Sequence, residues 1–142
     1  MMVSRLHRGR VVGIPRRISN ALTVVFGPGV ERVRLVEHSL FARLHGALAT
    51  TRRRCIFLRG SAANFFADPG LMLHEYCHVL LQWETGRLTT LRYVFELIKR
   101  GYWANRFEVE ARKFARAELA RFQSALAAEQ MLVRPAPPSR TS

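Results

Sequence analysis

The sequence predicts an α+β domain in which a small antiparallel sheet packs on a long apolar helix and two further helices follow. Three observations carry this reading. Short β-branched segments lie before residue 60, and the hydrophobic spacing turns helical after Asp68. A chain of 142 residues, 49% of them hydrophobic, can close one core but has little length for two.

The elements follow in order. Residues 1–20 are Arg-rich and precede the first acid, Glu31, so they read as a basic, disordered arm. Such an acid-free start also resembles a transit peptide. The apolar run Ala21 to Phe26 after Arg16 and Arg17 is short for a secretory signal and far short of a membrane span, so no transmembrane segment is expected. A single domain is expected over residues 21–132. Its strands are sought in ALTVVF (21–26), ERVRLVEH (31–38) and TRRRCIFLRG (51–60), with Gly27-Pro28-Gly29 as a turn between the first two. SLFARLHGALA (39–49) has helical spacing through Leu40, Phe41 and Leu44, interrupted at Gly46.

The second half is helical. Asp68 suits an N-cap and Pro69 the first helical position, which opens a helix from about Pro69 to Glu84. Thr89 or Thr90 caps a second, amphipathic helix through Leu91, Val94, Phe95 and Ile98, stopped at Gly101. A third begins at Asn105 and runs to about Gln130, its stripe built on Phe107, Ala111, Phe114, Ala115, Leu119, Phe122 and Leu126. Residues 133–142 form a Pro-rich, disordered tail. Trp83, Tyr102 and Trp103 are expected to close the core.

Charge and cysteines bound the setting. The net charge is +13, made by 21 Arg and 2 Lys against 9 Glu and 1 Asp. That admits nucleic acid or an anionic surface as a partner, although the arginines are dispersed and no helix-turn-helix or RNA-binding signature is present. Two cysteines cannot make a disulfide scaffold, which points to a reducing, cytoplasmic location.

Residues 74–78 read His-Glu-Tyr-Cys-His within the apolar helix. Histidines four residues apart lie about 40° apart around a helix, so both imidazoles can meet one ion from the same face. Glu75 then projects beside the ion, where it can take a proton from a zinc-bound water. Two histidines and an acid in a buried apolar run are costly unless they have partners. Cys77 faces away from His78 and is expected to pack. A catalytic zinc site takes three protein ligands and keeps one position open. No histidine follows His78, so the third ligand falls to a downstream Glu. Glu108 sits on the apolar side of the third helix and Glu110 toward water. Glu108 has a competing use, because Asn105-x-x-Glu108 is also a capping box.

HEYCH followed on a later helix by Glu108-Val-Glu-Ala111 resembles the gluzincin metallopeptidases. The stretches DPGLMLHEYCHVLLQW and GYWANRFEVEAR are similar to short bacterial HExxH domains, including relatives of the core domain associated with contractile injection systems. The resemblance covers residues 68–115. It implies a minimal zincin-like fold, Zn2+ held by His74, His78 and Glu108, and hydrolysis of a peptide or protein substrate with Glu75 as base. Gluzincins often place an Asp four residues after the ligand Glu; this chain has Arg112, so the histidines need another partner, for which Glu96, Asn105 or a backbone carbonyl are the candidates. Tyr93, Tyr102, Arg92 and Arg106 are the candidate donors to a developing oxyanion. Two other readings stay open: a zinc-binding interaction or sensing module without proteolysis, and a basic nucleic-acid or anionic-surface binder. The sequence leaves the oligomeric state undetermined.

Overall fold

A computed structural model describes residues 9–44 and 49–133. The architecture is α+β, with four strands and six helices among the described residues. In chain order they are β1 (Arg10–Val12), α1 (Arg16–Phe26), a 3-10 turn (Val30–Arg32), β2 (Arg34–Glu37), α2 (Leu40–Leu44), β3 (Ala49–Arg52), β4 (Cys55–Leu58), α3 (Ala62–Phe66), α4 (Pro69–Tyr76), α5 (Thr90–Ala104) and α6 (Arg106–Val133). The helix of α4 continues through Cys77–Trp83 as a π-helical stretch.

The sheet order is β1-β2-β4-β3. It is mixed, which corrects the antiparallel sheet expected from the sequence: β1–β2 and β3–β4 are antiparallel, and β2–β4 is parallel. The segment TRRRCIFLRG is two strands rather than one. It folds back at Arg53 and Arg54, the latter at φ 61°, and this hairpin inserts β4 between β2 and β3. β3 is thereby left as the edge nearest the helices that follow.

The segment ALTVVF is helix, not strand. Ile18, Ala21, Leu22 and Val25 recur at i, i+3, i+4 and i+7, and that stripe packs α1 against α6. The domain boundary expected at residue 20 therefore falls inside α1, and β1 also lies within the expected arm. The Gly-Pro-Gly turn is present, with Gly27 at φ 74° and Gly29 at φ 119°, but it joins a helix to a 3-10 turn. Residues 1–8, 45–48 around Gly46 and the tail from 134 lie outside the described residues.

The core forms where one sheet face, carrying Leu35, Ile56 and Leu58, meets α4 through Met72, Leu73 and Tyr76. α1 and α6 close it from the far side with Leu22 and Phe122, both wholly buried. Side chains of this size, removed from water, stabilise the fold by about 1.5–3 kcal/mol each. α2 covers the opposite sheet face with Ala42 over Val36 and Phe57.

The later helices begin where the sequence signals put them. Asp68 Oδ1 accepts from Leu71 N at 3.0 Å, and Thr89 Oγ1 accepts from Arg92 N at 3.2 Å. α5 breaks its helical backbone at the expected Gly101, at φ 74° and ψ 175°, then adds a last turn to Ala104. Two expected core residues are not there: Trp103 is 75% exposed and Tyr102 47%, because α5 turns its apolar side outward. No described helix is long and apolar enough to cross a membrane.

Candidate metal centre

The apolar run 69–83 folds as one continuous helix because its cap is good and its neighbours are the sheet and α6. That places His74 and His78 one turn apart, facing α6. α6 begins at Arg106, with Asn105 Oδ1 accepting from Phe107 N at 3.0 Å, so Glu108 stands in its first turn. There the helix dipole favours its negative charge.

The three side chains converge. His74 Nε2 and Glu108 Oε2 are 2.9 Å apart, His78 Nε2 and Glu108 Oε2 3.3 Å, and the two Nε2 atoms 3.1 Å. Ligand atoms about 2.0–2.1 Å from a tetrahedral zinc stand about 3.3 Å from one another, so this triangle has nearly the dimensions such an ion requires. His74, His78 and Glu108 are thus placed to hold a metal ion. The capping box is not formed: Glu108 turns to the histidines, and the Asn105 amide donates to Tyr102 O instead.

The ring orientation is fixed from behind. Gln82 Nε2 donates to Phe107 O at 3.0 Å, which leaves Gln82 Oε1 facing His78 Nδ1 at 2.6 Å. A carbonyl can only accept, so Nδ1 carries a proton and Nε2 is the nitrogen turned to the triangle, able to ligate an ion once its own proton is displaced. On the carboxylate, Tyr93 Oη donates to Glu108 Oε1 at 2.9 Å, leaving Oε2 for the histidines.

Electrostatics fit a cation. Burial works against ionisation of Glu108, but hydrogen bonds from His74 and His78 outweigh it and hold the carboxyl well below its usual range. Burial also opposes charge on His78, yet the Glu108 hydrogen bond and the charges of Glu75 and Glu108 push its pKa up to about 9. Glu75 is buried as well, and desolvation raises its pKa. A divalent cation at the triangle would take the place of the proton that His78 otherwise holds against the Glu108 carboxylate, and would meet that buried charge directly.

The centre opens on a cavity of about 500 Å³. Glu75, His78 and Glu108 form its floor, and β3 from Ala49 to Arg52 forms one wall. Tyr93, Val94, Leu97 and Tyr102 of α5 form the other. Trp83 Nε1 donates to Thr51 Oγ1 at 3.2 Å, tying the metal-site helix to the edge strand. Tyr102 keeps its phenolic proton, since burial first and then the nearby Glu108 and Glu75 charges raise its pKa to about 12.

Of the four candidate oxyanion donors, Tyr93 and Tyr102 reach the cavity. Arg106 does not: it pairs with Glu96 at 3.6 Å and lies over the Phe107 ring. Arg92 instead donates to the Gly86 and Arg87 carbonyls. Glu96 is taken by Arg100 and Arg106, and Asn105 by Tyr93 O and Phe107 N, so neither orients a histidine. Arg112 binds Trp103 O and the Trp103 ring. Cys77 is fully buried with its thiol pushed up to about 12 by desolvation, consistent with packing. Gln82 is the functional residue that sequence reasoning missed. Its signal was there: it is the one polar side chain between Val79 and Trp83, and it lies four residues after His78.

No family model, curated protein or solved structure matches this chain.

Proposed function

We propose that the protein is a zinc-dependent peptidase with His74, His78 and Glu108 as metal ligands and Glu75 as general base. The convergence of two Nε2 atoms and one carboxylate oxygen within 2.9–3.3 Å carries this reading. Two imidazoles and one carboxylate are a donor set of the catalytic zinc type, which leaves a position for a small oxygen ligand. Zinc bound there would supply Lewis acidity and lower the pKa of water to about 7.

The chain's own residues supply the rest. Glu75 lies on the cavity floor beside His78, where its carboxylate can accept a proton from the attacking water and return it to the leaving amine nitrogen. Tyr102, protonated and half-exposed on the opposite wall, can donate to the carbonyl oxygen as negative charge develops there. Tyr93 is committed to Glu108 and so acts as a positioning residue. Among the described residues β3 is an edge strand along the cavity, which suits an extended peptide laid beside it.

The test is hydrolysis of a mixture of unfolded polypeptides, read by mass spectrometry, with Glu75→Gln as the comparison. Loss of about 10²–10⁴-fold in rate with metal content retained is the expected result. Equal product from both proteins would remove Glu75 from the chemistry and the peptidase reading with it.

A further inference from the structure

α5 is built inside out. Its one buried residue is Glu96, held by Arg100 and Arg106, while Leu91 is 84% exposed, Phe95 62% and Ile98 81%. At about 100° per residue, Leu91, Val94, Phe95 and Ile98 fall within about 50° of one direction, and Glu96 points almost the opposite way. The stripe is therefore an apolar crest on the outer face of the domain, and past the break at Gly101 the Trp103 ring is exposed as well. A surface helix of a folded domain ordinarily turns such a stripe inward.

The flank of this crest is basic. Arg92 and Lys99 border Phe95, with the Lys99 ammonium 5.8 Å from the Phe95 ring centre. The hydrogen-bond partners of Arg92 are carbonyls, which leave its charge uncancelled. Arg112 lies over the exposed Trp103 ring. An apolar ridge of Leu, Phe, Ile and Trp with Arg and Lys alongside is the pattern of a helix that lies in the plane of a bilayer surface.

We propose that α5 docks the domain onto an anionic lipid surface, its apolar crest in the headgroup layer and its basic flank on the lipid phosphates. Charge selects this occupant. A second copy of the chain would bring a net +13 against the same basic rim. The terminal stretches outside the described residues carry Arg5, Arg8, Arg134 and Arg140 and no acid, so they are repelled as well. Exposed Leu91, Phe95 and Ile98 beside Arg92 and Lys99 suit a surface that offers an apolar layer and anionic headgroups together. Val94 belongs to both the ridge and the cavity wall, so docking brings the cavity mouth close to the bilayer. The docking inference stands on α5 alone and does not rest on the peptidase reading.

The experiment is flotation of the full chain with vesicles of phosphatidylcholine alone and with about one third phosphatidylglycerol, at low salt and at about 0.5 M salt. Wild type is expected to float with the anionic vesicles, with a blue shift of Trp103 emission that Trp103→Phe removes. The charge-neutral double change Phe95→Gln, Ile98→Gln is expected to weaken binding by about tenfold or more, with helical circular dichroism unchanged. Leu132→Gln, on the exposed far end of α6, is expected to bind as wild type. Equal binding by wild type and the double variant would mean charge alone is at work and would overturn the proposal. Absence of binding to anionic vesicles, or capture of an acidic protein through Phe95 and Ile98 in its place, would overturn it too.

Discussion

Gln82 Oε1 lies 2.6 Å from His78 Nδ1, and this contact decides which nitrogen of the ring faces His74 and Glu108. Gln82 in turn is held by the Phe107 carbonyl, one residue before Glu108. The residue that orients one ligand is therefore anchored to the backbone that carries another.

Replacing Gln82 tests that linkage. Gln82→Leu leaves the buried Nδ1 without an acceptor and removes the tie to Phe107 O. Zinc affinity is expected to fall about 10–100-fold in competition with a chromophoric chelator. The buried Nδ1–H left without a partner is expected to cost about 1–3 kcal/mol in urea unfolding. Unchanged affinity would show that the ring needs no support from behind.

Tyr93→Phe removes only the hydroxyl that donates to Glu108 Oε1. The ring stays to line the cavity, so the fold is expected to hold. Zinc affinity is expected to drop by about tenfold, at the low end for such supporting contacts, because Oε2 keeps its place. Calorimetric titration of zinc into both proteins reads the difference.

Glu37 gives the acid dependence of stability. Its Oε2 accepts from Ala62 N at 2.8 Å and its Oε1 pairs with Arg10 at 2.6 Å, joining β1, β2 and the start of α3. The Ala62 amide, then Arg10, lower its pKa below the ordinary 4.5. A lowered folded-state pKa means the contribution is fully present above that ordinary value and is lost as pH falls through the lowered one. Urea unfolding is therefore expected to find wild type more stable than Glu37→Gln at neutral pH, with the gap closing as pH falls below the ordinary carboxylate range. A gap that persisted in acid would show that the carboxylate charge is not what holds these elements.

The ligand triangle was legible because each member obeys a short-range rule. His74 and His78 follow helical spacing, and Glu108 sits on the apolar side of its own helix. Asn105 left the role of Glu108 open, since a capping box and a metal ligand place a Glu at the same position, and only the packing of α6 on α4 separates them. The parallel pairing of β2 with β4 was not legible, because it depends on how the β3–β4 hairpin inserts, a long-range choice that alternation does not encode. α1 was read as strand because its stripe starts at Ile18, inside the stretch set aside as an arm. Tyr102 and Trp103 were assigned to the core on hydrophobicity alone, which fails where a helix turns its apolar side outward.

His74, His78 and Glu108 are expected to bind one metal ion together. Elemental analysis of purified wild type beside Glu108→Ala tests it most directly, with circular dichroism confirming that both are folded. About one zinc per chain in wild type and a large loss in the variant is the predicted result. Full occupancy retained without Glu108, or no metal in wild type purified and dialysed with zinc supplied, would contradict it.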